Sequence, residues 1–383
     1  MKFTFISGNR AWGGSEELWA ATAAALAERG HSIAVFKSRV DPAEPRIRRL
    51  RELGADVRDL ARIARAPITV FLGIQRLSYP LSYLHEAIAL RLGLTTSKRP
   101  DLAIVSQGGN HDGELMAGGC RRMGIPYVLI CQKATDLYWP PDSRIENIRQ
   151  IYREAKAIYF VSEHNLRLTE EQLGMALPHA RVVRNPFLVP WERRNDWPDE
   201  SGGVRLACIG RLYPKEKGQD ILLRVLARPR WRERPLSVTF YGEGLQSEGL
   251  EQMARYLELE SVTFAGFVRD IAAVWNDHHG LILPSRCEGL PLVLVEAMLS
   301  GRVPVVTDVA GSGEVVENGV TGFLAAAATE DAMDEAMERA WQRRAEWRAI
   351  GEVAADRIRT MIPREPEQEL ASMLQAVVEQ QTR

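Results

Sequence analysis

Residues 281–301, LILPSRCEGLPLVLVEAMLSG, constrain the fold of this chain more than any other stretch. The apolar run Leu281-Ile282-Leu283 stops at Pro284 and Ser285, as a buried strand ending in a turn does. The corner Gly289-Leu290-Pro291 then feeds a helical run over 292–299. The first turn of a helix exposes amide N–H groups that lack partners and carries roughly half a positive charge, so this corner suits an anion such as a phosphate. Glu288 lies in the loop and Glu296 on the helix. A carboxylate beside an anion site would repel a phosphate, and its useful work is to accept hydrogen bonds from hydroxyls on either side of it. A sugar nucleotide, with hydroxyl-bearing rings flanking a diphosphate, offers that arrangement. The eight-residue spacing is not itself the signal, because Glu residues eight apart recur seven more times in the chain. The context is the signal: a strand before, a Gly-x-Pro corner inside, and a second strand over 303–307 after.

The rest of the chain repeats this alternation. Short β-branched runs at 2–7, 32–37, 55–60, 101–106, 127–131, 157–161 and 181–184 are separated by amphipathic stretches, among them 15–29, where Ser15 is the expected N-cap, and 47–53. After 186–203, rich in Pro, Trp, charge and Gly, the pattern restarts with strands at 204–209, 236–241, 262–264, 281–283 and 303–306. Strands alternating with helices mean parallel βαβ units. At 383 residues the chain fits two domains of roughly 150 to 200 residues each. The expected organisation is α/β: a doubly wound domain over 1–185, a linker over 186–203, a second over 204–365, and a terminal helix over 366–383 packing back across the hinge. The expected geometry has the two sheets facing across a cleft, where ligands bind in open α/β folds.

Composition excludes several classes. With 45% hydrophobic and 26% charged residues the chain is globular, and no stretch approaches the roughly 20 apolar residues of a membrane span. The most apolar surface segment, 77–94, is expected to pack as a helix. Cys120, Cys131, Cys208 and Cys287 show no metal-ligand or disulfide spacing and read as reduced core residues. The net charge of −1 hides an asymmetry: residues 1–190 hold 26 Lys/Arg against 19 Asp/Glu, while the remainder is acidic. Arg46, Arg48, Arg49, Arg51, Arg58, Arg62 and Arg65 crowd one stretch, read either as a solvated helix face or as contact with an anionic membrane surface.

The loops at the strand ends carry the chemistry. In the first domain GNRAWGGSE (8–16) places Gly13 and Gly14 directly before a helix, so backbone can come close to a phosphate. In the second, Gly210 and Arg211 end a strand and Lys217 opens the following helix. A guanidinium and an ammonium converging there would neutralise a departing diphosphate. Further glycine-bearing loops follow at Gly242-Glu243-Gly244, at Gly266-Phe267-Val268, and over 307–314.

Taken together, GRLYPKEKGQD (210–220), YGEG (241–244), FAGFV (264–268), SRCEGLPLVLVEAM (285–298) and GRVPVVTD with GSGEVV and GVTGFL (301–324) resemble the retaining family 4 glycosyltransferases of GT-B fold, also called glycosyl transferases group 1. The resemblance covers about 120 residues of the second domain, and WGGSE extends a weaker likeness to the first. It implies that Arg211 and Lys217 bind a donor diphosphate with Gly13, Gly14, Gly210, Gly242 and the amides of Gly289, Leu290, Leu292 and Val293 beyond Pro291. Glu288 would bind hydroxyls of the donor sugar and Glu296 those of the ribose, with Phe267 and Val268 near the base. Arg211, Lys217 and Glu288 would form the catalytic set, acting on a UDP- or GDP-linked donor with no metal and no further cofactor. The partners would be a nucleotide sugar and a saccharide or lipid-linked acceptor, not nucleic acid. The setting would be assembly of cell-surface or extracellular polysaccharide or glycolipid, in the cytoplasm or at the inner face of the membrane.

The chain departs from the family after the strand 127–131. A histidine usually lines the reaction site there, and here Gln132 stands in its place, followed by Lys133 and Asp136. His111 in GGNHDG is the alternative. These four are the candidates for the acceptor side. Two other functions share the architecture: a nucleotide-sugar 2-epimerase, and a non-catalytic nucleotide-sugar-binding subunit, which Gln132 favours.

Overall fold

The computed structural model describes residues 1–63, 90, 91, 93, 94, 99–192 and 195–382, so the segment 77–94 and Arg65 lie largely outside the described residues. Two compact units form: 1–186 with 365–383, and 187–364. Each is built on one parallel sheet, as two Rossmann-like α/β domains. Among the described residues the first sheet comprises β1 (Lys2–Ser7), β2 (Ser32–Lys37), β3 (Asp56–Asp59), β4 (Leu102–Gln107), β5 (Tyr127–Cys131), β6 (Ile158–Phe160) and β7 (Ala180–Val182), ordered β3-β2-β1-β4-β5-β6-β7. The second comprises β8 (Val204–Ile209), β9 (Leu236–Tyr241), β10 (Val262–Gly266), β11 (Gly280–Leu283), β12 (Val303–Thr307) and β13 (Phe323–Ala325), ordered β10-β9-β8-β11-β12-β13.

The central strands are buried on both faces and read as continuous apolar runs, whereas β9 and β10 alternate in burial and β3 is polar. Phe3 and Phe5 point into a core with Leu18 and Trp19, and Ile6 into another with Met116 and Leu129. In the second sheet Leu206 and Cys208 face one core and Ala207 the other. Strand order reverses between β1 and β4, and again between β8 and β11. At such a switch point neighbouring loops leave in opposite directions and open a crevice at the strands' C-terminal ends.

Three local expectations meet a different outcome. The first helix is Gly14–Glu28 with Gly13 as its N-cap, not Ser15; the Ser15 hydroxyl instead accepts from Asn9 Nδ2 at 3.2 Å. Strand β13 has only three residues, too few to show a period. The segment expected as a linker packs on the second unit: Val189 is buried, Phe187 stacks on Trp191 with centroids 5.4 Å apart, and Arg359 holds the Trp191 carbonyl at 2.8 and 3.1 Å. Its Trp-rich composition serves packing. The terminal helix Pro366–Thr382 belongs to the first unit, where Leu370, Ala371 and Leu374 are fully buried against the helix Gly14–Glu28.

All four cysteines are free and buried, and burial pushes the Cys120, Cys131 and Cys208 thiols up to about 12. Among the described residues no helix is long and apolar enough to cross a membrane. Arg46, Arg49, Arg58 and Arg62 each face a carboxylate, of Glu17, Glu28, Asp56 and Asp59 respectively. Arg46 and Arg49 lie on the helix Pro45–Glu52, whereas Arg58 lies on strand β3 and Arg62 beyond it, so the arginines do not share one helix face.

Candidate active site

The switch point of the second sheet joins the loop after β8 to the loop after β11. The short helix Pro214–Lys217 ends at Gly218, which adopts φ 65°. A Cβ on Gly218 would stand 1.9 Å from the Pro284 carbonyl oxygen, so only glycine lets the two loops touch. The Glu216 carbonyl then accepts from the Arg286 and Cys287 amides at 2.8 and 3.1 Å. Arg286 forks onto Asp220 at 2.6 and 2.9 Å. Burial would raise the Asp220 pKa, but hydrogen bonds from Arg286 and Arg224 hold it below the usual carboxylate range.

This frame sets Lys217 Nζ against both oxygens of Glu288, at 2.7 and 2.8 Å, with side chains 24% and 8% exposed. Ser285 Oγ donates to Glu288 at 2.8 Å, and the Ser285 carbonyl is itself held by Thr307 Oγ1 at 2.6 Å. Arg211 lies in the same loop but turns to Glu216 at 3.3 Å and over the Tyr213 ring, and it is 57% exposed. The helix Leu292–Leu299 starts from Pro291 with neither a side-chain cap nor an acidic residue in its first turn. Gly289 accepts from the Gly311 amide at 2.7 Å, and Leu290 is buried beneath. Glu296, 2% exposed, accepts from the Leu188 amide at 2.9 Å.

The glycine loops after β9 and β10 continue the same construction. A Cβ on Gly242 would fall 2.1 Å from the Gly210 carbonyl oxygen, and one on Gly244 2.1 Å from that of Leu212. Gly242 donates to the Gly266 carbonyl at 2.7 Å, while beyond it Phe267 is 67% exposed and Val268 packs on the core. Arg211, Lys217, Glu288 and the start of the helix Leu292–Leu299 thus share one switch point, with Gly242, Phe267 and Val268 on the neighbouring strand ends. What this can do chemically is hold an anion on Lys217, Arg211 and the helix N-terminus, and hydroxyls on Glu288.

The first sheet's switch point is built from side chains. Glu16, fully buried, accepts from Ser7 Oγ at 3.0 and 3.1 Å and Asn9 Nδ2 at 2.8 Å, and pairs with Lys37 at 3.1 Å. Lys37 also donates to the Asn9 carbonyl at 2.5 Å, pinning the loop that leads to Gly13 and Gly14. Local sequence held no signal for this pair, because its members are 21 residues apart and each looks like an ordinary helix or strand charge. Gly13 is extended, and a Cβ there would meet nothing within 4 Å, so neither backbone nor neighbours require a glycine.

His111, after β4, has φ 56° and is turned inward, 5% exposed, with Nδ1 3.1 Å from the Tyr152 hydroxyl. Burial pushes its pKa down to about 4 and keeps it neutral. Gln132 is equally buried and accepts from Asn185 Nδ2 at 2.9 Å. Lys133 is half-buried, and Asp136 is exposed on the loop beyond. Sequence reading missed Ser285, Glu16 and Lys37. Ser285 stood inside the motif, but its service to Glu288 depends on how the loop turns.

Comparison with known proteins places both units. A family model described as glycosyl transferases group 1 matches residues 203–343, and one described as a glycosyl transferase 4-like domain matches 13–187. A glycogen synthase of Mycobacterium tuberculosis is 31% identical over 41% of this chain and 38% of its own length. A GDP-mannose-dependent alpha-(1-6)-phosphatidylinositol monomannoside mannosyltransferase of Mycolicibacterium smegmatis is 29% identical over 57% of this chain and 61% of its own. The chain therefore spans less than two thirds of these curated relatives. Among solved structures, HepE of Anabaena in complex with UDP and glucose superimposes with a TM-score of 0.73 over 98% of this chain and 99% of that one, at 20% identity. Sucrose-phosphate synthase of Thermosynechococcus elongatus does so with 0.75 over 98% of each, at 16% identity.

Proposed function

The chain belongs to the group 1, family 4 glycosyltransferases of GT-B fold, and on that premise we propose that it moves a sugar from a nucleotide-sugar donor to a hydroxyl acceptor with retention at the anomeric carbon. The observation that carries this is the contact of Lys217 with Glu288 at 2.7 Å beside an uncapped helix N-terminus. Without donor, Glu288 neutralises Lys217. A diphosphate would draw the ammonium to itself and to the first-turn amides, releasing the Glu288 carboxylate to accept from the donor sugar's hydroxyls. Arg211, 57% exposed and held at 3.3 Å by Glu216 and over the Tyr213 ring, can swing to the same diphosphate.

As the bond from the anomeric carbon to the phosphate oxygen breaks, negative charge grows on the diphosphate where these donors are aimed. The acceptor oxygen bonds the anomeric carbon on the same face, and its proton passes to the departing phosphate oxygen. Lysine, arginine and helix amides do what a divalent metal would otherwise do, so turnover proceeds in EDTA. Relatives that use GDP-mannose and neighbours that hold UDP favour a UDP- or GDP-linked donor. A cytoplasmic enzyme of surface polysaccharide or glycolipid assembly fits this reading.

The test is a thermal-shift panel of UDP-, GDP-, ADP-, TDP- and CMP-sugars in EDTA. A ligand at about 100 times its dissociation constant adds about 2.7 kcal/mol to folded-state stability. One nucleotide class is expected to shift the wild type, and Lys217→Ala and Glu288→Ala to lose about a hundredfold in turnover. No shift with any class, or full turnover in both variants, would sink the proposal.

A further inference from the structure

We infer that Ser285 sorts the two carboxylate oxygens of Glu288, and that Oε2 is the atom that reads the donor sugar. This deepens the glycosyltransferase reading and rests on it. Lys217 Nζ meets Oε1 at 2.7 Å and Oε2 at 2.8 Å, while Ser285 Oγ donates to Oε1, at 2.8 Å. Among the described residues Oε1 thus accepts two hydrogen bonds and Oε2 one. The other charges of this frame are engaged with one another, Arg211 with Glu216 and Arg286 with Asp220.

The two donors differ in how firmly they are held. Ser285 is fully buried, and its carbonyl accepts at 2.6 Å from the hydroxyl of Thr307, itself buried at the end of β12. A serine oxygen stands one staggered torsion from the backbone, so fixing that backbone fixes the hydroxyl. Lys217 is the opposite case: its ammonium rides on a flexible four-carbon stem and is 24% exposed. An anion at the start of the helix Leu292–Leu299 can draw away Lys217 and cannot draw away Ser285.

The consequence is an order of events. Once the diphosphate takes Lys217, Ser285 still holds Oε1, and Oε2 becomes a buried, charged acceptor that has lost its donor. Leaving such an oxygen unpaired is costly, and a hydroxyl of the sugar joined to that diphosphate is the donor that arrives with it. A nucleotide without its sugar would take the lysine and strand Oε2, so the carboxylate answers to the sugar only after the phosphates have bound. A sugar bringing a carboxylate to this position would set two anions together, so the donor class is one that presents a neutral hydroxyl there. Ser285 and Thr307 are positioning residues in this scheme: they touch no substrate and act through Glu288.

The test compares the full wild-type chain with Ser285→Ala and Thr307→Val. The probes are the nucleoside diphosphate of the class that shifts in the thermal panel, its sugar-linked form, and that donor with each sugar hydroxyl replaced in turn by hydrogen. Ser285→Ala is expected to bind the bare diphosphate within about twofold of wild type while losing about tenfold in kcat, and its preference for the donor over one deoxy form should shrink about tenfold. Thr307→Val, which keeps the serine hydroxyl but removes the anchor of its carbonyl, should shrink the same preference less, and it decides the matter if Ser285→Ala folds poorly. A wild type indifferent to every deoxy form, an unchanged preference in both variants, or a parallel fall in diphosphate affinity and in turnover of every donor would overturn the inference and leave the transferase standing. A wild type that binds no nucleotide and transfers no sugar sinks the transferase reading, and this inference with it.

Discussion

At the second sheet's switch point the loops touch backbone to backbone, whereas at the first sheet's they are held by buried side chains. Gly218, Gly242 and Gly244 permit approaches that no Cβ could survive, and the cations are left partly exposed to act, Lys217 at 24% and Arg211 at 57%, while Glu288 lies buried against Lys217. In the first unit the charges, Glu16 and Lys37, are buried and committed, the histidine is turned inward, and apolar groups face out. A site made from backbone geometry demands particular residues at particular places and so leaves a motif. One made from side-chain packing admits many solutions and leaves none.

The sharpest way to break that contrast is Lys37→Met. Removing one partner of a fully buried ion pair strands the other charge and should cost about 3–5 kcal/mol, read from urea unfolding. The double change Glu16→Leu with Lys37→Met should recover most of it; a single-variant loss under about 1 kcal/mol would mean that the buried pair does not hold the first site.

Next come the glycines. Gly218→Ala, forced into a left-handed conformation against the Pro284 carbonyl, should destabilise by about 3 kcal/mol. Gly13→Ala should leave the melting curve within about 0.5 kcal/mol, because its Cβ would meet nothing within 4 Å, while turnover falls if this loop binds the donor. Equal destabilisation of the two would erase the distinction between structural and functional glycines.

The smallest effect is the pH dependence that His111 contributes. The unfolded chain binds a proton at His111 near pH 6.5, and the folded chain only near pH 4. Stability is thus fully present above pH 6.5 and falls as pH drops toward 4, with about 2 kcal/mol gone by pH 5. His111→Gln should flatten this part of the profile; a profile of unchanged slope would show that His111 already titrates near its ordinary value.

The parallel sheets, the glycine loops and the helix beginning at Leu292 were legible because each is a property of a short stretch: an apolar run, a turn, a proline corner. The charged candidates Arg211, Lys217 and Glu288 were legible because they stand inside those stretches. Their contact was not. Lys217 meets Glu288 across 71 residues, Glu16 meets Lys37 across 21, and Gly218 meets Pro284, because the switch points bring separate strand ends together. Local sequence dictated the backbone segments, since their hydrogen bonds and hydrophobic periods are local. Which side chains face one another was decided by strand order, a property of the whole sheet that no segment contains.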